Sequence, residues 1–252
     1  MALEQSRSPS PADSVPEPAA FVYSGRRYLD VIKAARHYNE MLWHFVQREV
    51  EPCDDVLDFG AGEGTVALRL IQRAGSVTCV EPDAEFRSAL LLHGVSCASD
   101  LTGILEGSMD VIYSLNVLEH IEDDGGVLRD LHAKLRDGGS LLLYVPAFSC
   151  LYNSMDKASG HVRRYRRRQL EQLLHGAGFT IERVEYVDSL GFAATLLWKV
   201  FDDGSGIINS WPIYVYDRYL FWMSRLLDLA LHRIVGKNVL VLAAKPRVPQ
   251  QI

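Results

Sequence analysis

Three groups of residues have the types and spacing to do chemistry. The first is the glycine-rich turn of VLDFGAGEGT (56–65), with Gly60, Gly62 and Gly64, with Asp58 two residues before it and Glu81 closing the next apolar run. The second is LEH (118–120), which sets Glu119 beside His120. The third is LYNSMDKASGHVRRYRRRQLEQLLHGAGF (151–179), which holds Asp156, His161 and five arginines, Arg163, Arg164, Arg166, Arg167 and Arg168, within six positions.

Glycine lets a backbone turn tightly and approach a ligand closely. This turn follows an expected strand and opens an expected helix, the context that gives a GxGxG meaning. Ligands of such sheets bind at the carboxyl ends of the strands. Asp58 would repel a pyrophosphate there and welcome a cationic or zwitterionic ligand. Glu81, at a strand end, suits two ribose hydroxyls. A structural turn with solvated acids is the plainer alternative.

His161 suits a general base for an acidic O–H or N–H, and equally a hydrogen-bonded structural histidine; both roles stay open. Arg163 and Arg164 suit a bidentate clamp on a carboxylate or phosphate. Arg166 to Arg168 read differently, as the exposed start of a helix whose buried stripe is Leu170, Leu173, Leu174 and Ala177. Arg167 and Glu171 form an i, i+4 pair there, worth ~0.2–0.5 kcal/mol. Arg166 stands where a capping Ser, Thr or Asp is favoured.

The elements that must position these groups alternate. A helical pattern runs from Tyr28 to Val50 and stops at Pro52. Strands are expected at 55–60, 76–81, 95–99, 109–115, 139–146 and 181–189, and helices at 64–74, 84–93, 123–135 and 167–178. That rhythm means βαβ units, a mostly parallel sheet with helices on both faces. It breaks at an insertion, about 191–236, before a last strand at 238–245 that returns antiparallel after VGKN.

With these motifs in place, the chain resembles the class I S-adenosylmethionine-dependent methyltransferases. The resemblance covers about 21–189 plus the last strand and rests on VLDFGAGEGT, CVEPD (79–83), SD (99–100) and YSLNVLEHIEDD (113–124). It implies a Rossmann-like α/β fold with a seven-stranded sheet, and S-adenosylmethionine as cofactor. It implies that Asp58, Gly60, Ala61, Gly62 and Gly64 surround the methionine part and that Glu81 takes the ribose hydroxyls. Pro82 and Asp83 would flank the adenine, Asp100 would meet its amino group, and Asn116 and Val117 would line the sulfonium side.

The third group is similar to a bacterial methyltransferase subgroup with a D-x4-GH-x-RRY signature, matched by Asp156, Gly160, His161, Arg163, Arg164 and Tyr165. ARHYN (35–39), with Tyr38, and GKNVLVLAAKP also look like that subgroup. The likeness puts His161, Asp156 and Tyr165 at the reaction and Arg163, Arg164 and Tyr38 around the acceptor. A subset of quinone-biosynthesis O-methyltransferases is similar around LEH and places a divalent metal on an acid, an acid and a histidine. Here Asn116 stands where the first acid belongs, so no metal is expected, and Glu119 and His120 are expected to cap the next helix and shape the cofactor floor.

The insertion contains WPIYVYDRYLFWMSRLLDLALHRIV (211–235). A narrow polar stripe, Asp217, Arg218, Ser224, Arg225, Asp228 and His232, leaves a wide apolar face that must be covered. Lid, dimer interface and lipid contact are the alternatives, with packing inside the chain or dimer expected, and FAATLLWKVF (192–201) would join it as the wall of a large apolar pocket.

Bulk properties narrow the rest. The 252 residues are 48% hydrophobic and 23% charged, enough for one domain with additions. The expected organisation is a disordered tail at 1–20 with no signal peptide, a methyltransferase domain at 21–246 and a C-terminal tail at 247–252. With 26 Lys+Arg against 32 Asp+Glu, the net charge of −6 argues against a nucleic-acid binder. Cys53, Cys79, Cys97 and Cys150 form no CxxC pair, so neither a zinc nor a redox motif is expected, and a reducing cytoplasm fits. No run of 18 apolar residues crosses a membrane.

The expected function is methyl transfer to an O or N nucleophile of a small-molecule or lipid-like metabolite with an apolar body and an anionic group, by a monomer or homodimer with peripheral membrane contact allowed. An RNA methyltransferase and a non-catalytic binding protein are the rivals. Where the fourth strand ends, NVLE replaces the NPPY-like tetrapeptide of the former.

Overall fold

The computed structural model describes residue 23 and residues 26–206 and 210–247. The expected tail at 1–20 lies outside the described residues, and of the tail at 247–252 only Arg247 is described. Two helices, α1 (Arg26–Lys33) and α2 (Arg36–Gln47), replace the single expected helix. Ala35 adopts a non-helical ψ of 77° and offers no side-chain cap. Asp217, 180 residues away, supplies the cap instead, accepting the N–H groups of His37 and Tyr38 at 3.0 and 2.9 Å.

Next come β1 (Asp55–Phe59), α3 (Ala67–Leu70), β2 (Ser76–Val80), α4 (Ala84–Leu92), β3 (Ser96–Ala98), β4 (Met109–Leu115) and α5 (Asp124–Lys134). β5 (Leu135–Pro146), α6 (Ser154–Ser159), α7 (Arg167–Gly176), β6 (Thr180–Val187) and α8 (Ser189–Val200) follow. The chain closes with α9 (Ser210–Val215), a π-helical turn (Tyr216–Leu220), α10 (Phe221–Leu231) and β7 (Asn238–Ala244). α3 is far shorter than the expected 64–74: the glycine turn and flanking turns take up the rest. β5 begins four residues early, through an irregular pairing with β4 near Met109.

The seven strands form one sheet in the order β3-β2-β1-β4-β5-β7-β6. β7 runs antiparallel to both β5 and β6, and the other neighbours are parallel. This is the expected Rossmann-like α/β fold. Successive side chains on a strand take opposite faces. On β5, Leu141, Leu143 and Val145 join one core with Leu128 and Leu131 of α5 and Leu170 and Leu174 of α7. Leu142 and Tyr144 join the other, with Met41, Leu42, Phe45 and Val46 of α2. Strands buried on both faces read as continuous apolar runs, which is why GSLLLYVP was so legible.

Candidate active site

β1, β2, β4, β5 and β6 all point their carboxyl ends to the same edge of the sheet, and the unusual backbone gathers there. Gly60 follows β1 with φ +83°, and a Cβ on it would lie 2.3 Å from Val117 Cγ2, so only glycine fits. Gly62, φ +53°, faces open space on its Cα side. Among the described residues, three that are not glycine hold positive φ: Asn116 just after β4, Phe148 after β5 and Asp188 after β6. Such strain costs of order 1–3 kcal/mol each and clusters where function constrains the chain.

The cofactor residues expected from sequence converge at this edge. Glu81 is buried; its Oε2 accepts Gly62 N–H at 2.7 Å and its Oε1 accepts Asp83 N–H at 2.8 Å. Burial raises the Glu81 carboxyl above the usual range, against those two bonds. Asp58 is buried at the end of β1, and burial pushes its carboxyl up to about 7 although Tyr113 Oη donates to it at 2.6 Å. Asp83 caps α4, accepting from the N–H groups of Glu85 and Phe86. Ala61 and Pro82 lie in the same turns, beside these acids. Asp100 is exposed after β3 and accepts Thr102 N–H. Asn116 Nδ2 donates to Tyr38 Oη at 3.2 Å, and burial pushes that phenol up to about 12.

The signature group does not meet one open site. His161 Nδ1 lies 2.6 Å from Asp156 Oδ1, and Arg164 donates to both oxygens of Asp156 at 2.9 Å. Burial works to raise the Asp156 carboxyl, but the bonds from His161 and Arg164 outweigh it and hold it low. Arg164 also donates to Ala147 O, so its guanidinium is engaged inside the chain. Tyr165 is fully buried, with its hydroxyl on Leu118 O and Asp124 Oδ2. Arg163 bonds Asp124 Oδ2 at 2.6 Å and Glu122 O at 2.8 Å. The expected clamp thus meets partners inside the chain: Asp156 takes the buried Arg164, and Asp124 pairs with Arg163, which is 30% exposed. Arg166 and Arg168 are exposed as expected, Arg167 pairs with Glu171 at 2.8 Å, and Leu170 and Leu174 are buried.

Beside Val117, a 3₁₀ turn (Leu118–His120) carries Glu119 and His120. They do not cap the next helix; Asp123 does, accepting Gly126 N–H. Glu119 is fully buried with both carboxylate oxygens unpartnered, and burial pushes it up to about 8. Burial and the neighbouring His161 push His120 down to about 4. The His120 and His161 rings meet edge to face at 4.7 Å.

Sequence reasoning passed over several supports. Tyr23 spans the edge, donating its N–H to Asp83 Oδ2 at 2.9 Å while its ring contacts that of His120. Tyr113 holds Asp58, and Asp124 holds Arg163 and Tyr165. Tyr113 lies in an apolar strand with no signal of a partner around it; Asp124 is the first residue of α5, next to the capping Asp123 that a DD pair before a helix signals. Cys79 and Cys97, distant in sequence, are direct neighbours across β2 and β3, both free thiols.

The described residues do not themselves cover the insertion's apolar face. The acids and serine of the polar stripe turn inward while Arg218 stays exposed: Asp217, Ser224 and Asp228 are buried, and Asp228 accepts the N–H groups of Asp188 and Ser189 at 3.0 and 2.8 Å. Trp222 (60% exposed), Leu226, Leu229 (76%), and Leu197 and Phe201 by the end of α8 face outward, so they do not wall an inner pocket. A groove of about 360 Å³ between α2 and α10, lined by His37, His44, Arg48 and Trp222, includes none of Glu119, His120 and His161.

Comparison with known proteins fits this geometry. The model of a family described as Methyltransferase domain (Methyltransf_23) matches residues 27–184. A ubiquinone biosynthesis O-methyltransferase of Pseudomonas aeruginosa is 33% identical over 98 residues, 35% of this chain and 42% of that protein. One from Xanthomonas axonopodis pv. citri is 27% identical over 116 residues, 42% of this chain and 48% of that protein. The chain thus spans less than half the length of these curated relatives. Among solved structures, phosphoethanolamine N-methyltransferase 2 of Haemonchus contortus, in complex with S-adenosyl-L-methionine, superposes with a TM-score of 0.57 at 21% identity, covering 80% of this chain and 51% of that one. Geranyl diphosphate C-methyltransferase of Streptomyces coelicolor gives 0.59 at 14% identity, covering 82% and 77%. At such identities the likeness is one of fold.

Proposed function

The chain belongs to the methyltransferase domain family, and from that premise we propose that it is an S-adenosylmethionine-dependent methyltransferase acting on a nucleophilic oxygen or nitrogen of a small, lipid-like metabolite. The observation that carries this reading is the join between Glu81 and the Gly62 amide at 2.7 Å. It sets a ribose-binding carboxylate against the glycine turn, with Asp58 behind for the ammonium end. A carboxylate has about four lone-pair sites, so Glu81 keeps capacity for two ribose hydroxyls beside its backbone bonds. In this reading Pro82, Asp83 and Asp100, which follow β2 and β3, take the adenine side, and Asn116 and Val117, which follow β4, the methionine side.

Methyl transfer from a sulfonium is an in-line displacement on an activated carbon, so holding the acceptor in line supplies ~7–11 kcal/mol in favourable cases. An oxygen acceptor also needs its proton removed. His161 is the group for this: Asp156 behind Nδ1 stabilises positive charge arriving at Nε2. Arg164 and Tyr165 position that pair and the turn at Leu118 from within. Tyr38, hydrogen-bonded to Asn116, borders the same edge.

Two features support a lipid-like acceptor over RNA. The arginines nearest the site are engaged by Asp124 and Asp156. The outward apolar face of α8 and α10 offers a surface for a lipid, and no helix among the described residues is long and apolar enough to cross a membrane. The test is calorimetric titration with S-adenosylmethionine, then methyl transfer from labelled cofactor into lipid extracts and into total RNA. Label in lipid-soluble products, with flat RNA binding at low salt, is the expected result; no cofactor binding would sink the reading.

A further inference from the structure

We propose that Glu119, His120 and His161 bind one divalent transition-metal ion beside the cofactor. The argument starts from tautomers. His161 Nδ1 faces Asp156 Oδ1 at 2.6 Å, and His120 Nδ1 faces Gly160 O at 3.2 Å. A carboxylate and a carbonyl only accept, so each ring in its neutral form carries its hydrogen on Nδ1 and leaves a lone pair on Nε2. One ligand atom from each of His120, His161 and Glu119 lies within 4.8 Å of the others, and His161 Nε2 stands 3.8 Å from Glu119 Oε1.

That convergence has lone pairs on every side and no donor. Glu119 is fully buried, and neither oxygen has a hydrogen-bond partner. An unpartnered buried carboxylate is costly. A proton on Glu119 would not repair it, because 3.8 Å is beyond hydrogen-bond reach of His161. A cation would satisfy all three groups at once. Ligands on a tetrahedral ion at ~2.0–2.2 Å stand about 3.4 Å apart, so small side-chain rotations close the site.

The surroundings match what metal-binding histidines require: a second acceptor fixing each ring. Asp156 holds His161 and is itself gripped at both oxygens by Arg164. Gly160, at φ +83°, aims its carbonyl at His120. Val162 N–H donates to Glu119 O at 2.9 Å, locking the two ligand-bearing segments together. The third ligand comes from the signature loop. Asn116 is not in the set; its amide is turned to Tyr38 and Asn238. Two imidazoles and one carboxylate suit zinc, manganese, iron or cobalt in the divalent state, with positions left open.

The role, though not the site, rests on the methyltransferase reading. An acceptor hydroxyl taking an open position is acidified by the ion and loses its proton to solvent. Its oxygen electron pair forms the new O–CH₃ bond as the S–CH₃ bond breaks, and the S–CH₃ bonding pair stays on sulfur, which leaves as the neutral thioether. With the ion bound, His161 Nε2 is a ligand and no longer a base, so the ion and solvent take over the proton removal that His161 performs in the metal-free reading; Asp156 still orients its ring and stabilises the charge it meets.

The experiment titrates chelator-treated full-length protein with Zn²⁺ by calorimetry and with Co²⁺ by visible absorption, needing neither cofactor nor acceptor. One equivalent should bind with tetrahedral-type cobalt bands. Glu119→Gln and His161→Ala should each abolish the bands, and Asp156→Asn should weaken binding about 10–100-fold. Circular dichroism checks each fold; His120→Asn serves where Glu119→Gln fails to fold. No binding, or binding that all these variants retain, overturns the site. S-adenosylmethionine affinity in the same samples tests the cofactor reading separately.

Discussion

Gly62 donates its backbone N–H to the Glu81 carboxylate at 2.7 Å, tying the glycine turn after β1 to the end of β2. Glu81→Ala therefore removes more than a ribose contact: it frees the Gly62 and Asp83 amides as well. Hydrogen bonds to charged groups contribute about 1.5–3 kcal/mol each. Calorimetry should show S-adenosylmethionine affinity falling at least tenfold; unchanged affinity rules out the ribose assignment.

Asp58 makes the unliganded fold pH-sensitive. Its folded-state value is raised to about 7 from 3.8, so the unfolded chain gives up its proton first. Its contribution to stability is full below 3.8 and is lost as pH rises through about 7. Thermal melts of the cofactor-free protein should show a stability loss as pH rises from about 4 to about 7, levelling off above, that Asp58→Asn flattens. An identical slope in that variant assigns the effect elsewhere.

The arginine run should divide by variant. Arg164→Ala leaves Asp156 buried without its main partner, a loss of about 3–5 kcal/mol. Arg168→Ala, on an exposed helix face, should stay within about 0.5 kcal/mol. Denaturant midpoints at constant slope measure both. Equal effects would mean the split between buried and solvated arginines is wrong.

Tyr165→Phe tests whether that hydroxyl reacts or supports. Its bonds to Leu118 O and Asp124 Oδ2 place it in the interior. Stability should fall by about 1–2 kcal/mol, while turnover at a temperature where the variant stays folded should change by less than a few-fold. A loss of kcat by orders of magnitude returns it to the reaction.

The outward apolar face should bind anionic lipid. Trp222→Glu and Leu229→Glu change exposed positions, so the melting temperature should hold while co-sedimentation with anionic vesicles falls sharply. Equal sedimentation of wild type and variants removes the lipid contact from the proposal.

The strand–helix alternation was legible because parallel strands bury both faces. VLDF, DVIYSL and LLLYV could be read residue by residue. The antiparallel last strand was legible from the VGKN turn just before it. Glycine spacing and the acids at strand ends marked the cofactor edge, since a tight turn and a carboxylate at a strand end are local properties. The break at Ala35 was not legible, because its cap is Asp217 from the far end of the chain.

By itself the sequence determined the sheet, the glycine turn and the order in which Asp58, Glu81 and Asn116 reach one edge, since periodicity and turn chemistry act over a few residues. Only the tertiary structure decided which charges are paired. Arg163 and Arg164 look alike in a string, yet Asp124 and Asp156 claim them by distance in space. It also turned Asp228 of α10 inward to bind the backbone after β6 and left Glu119 facing two imidazoles, with no donor to it among the described residues. Pairing and desolvation depend on what lies within a few ångströms in three dimensions, and His161 comes to Glu119 from 42 positions away along the chain.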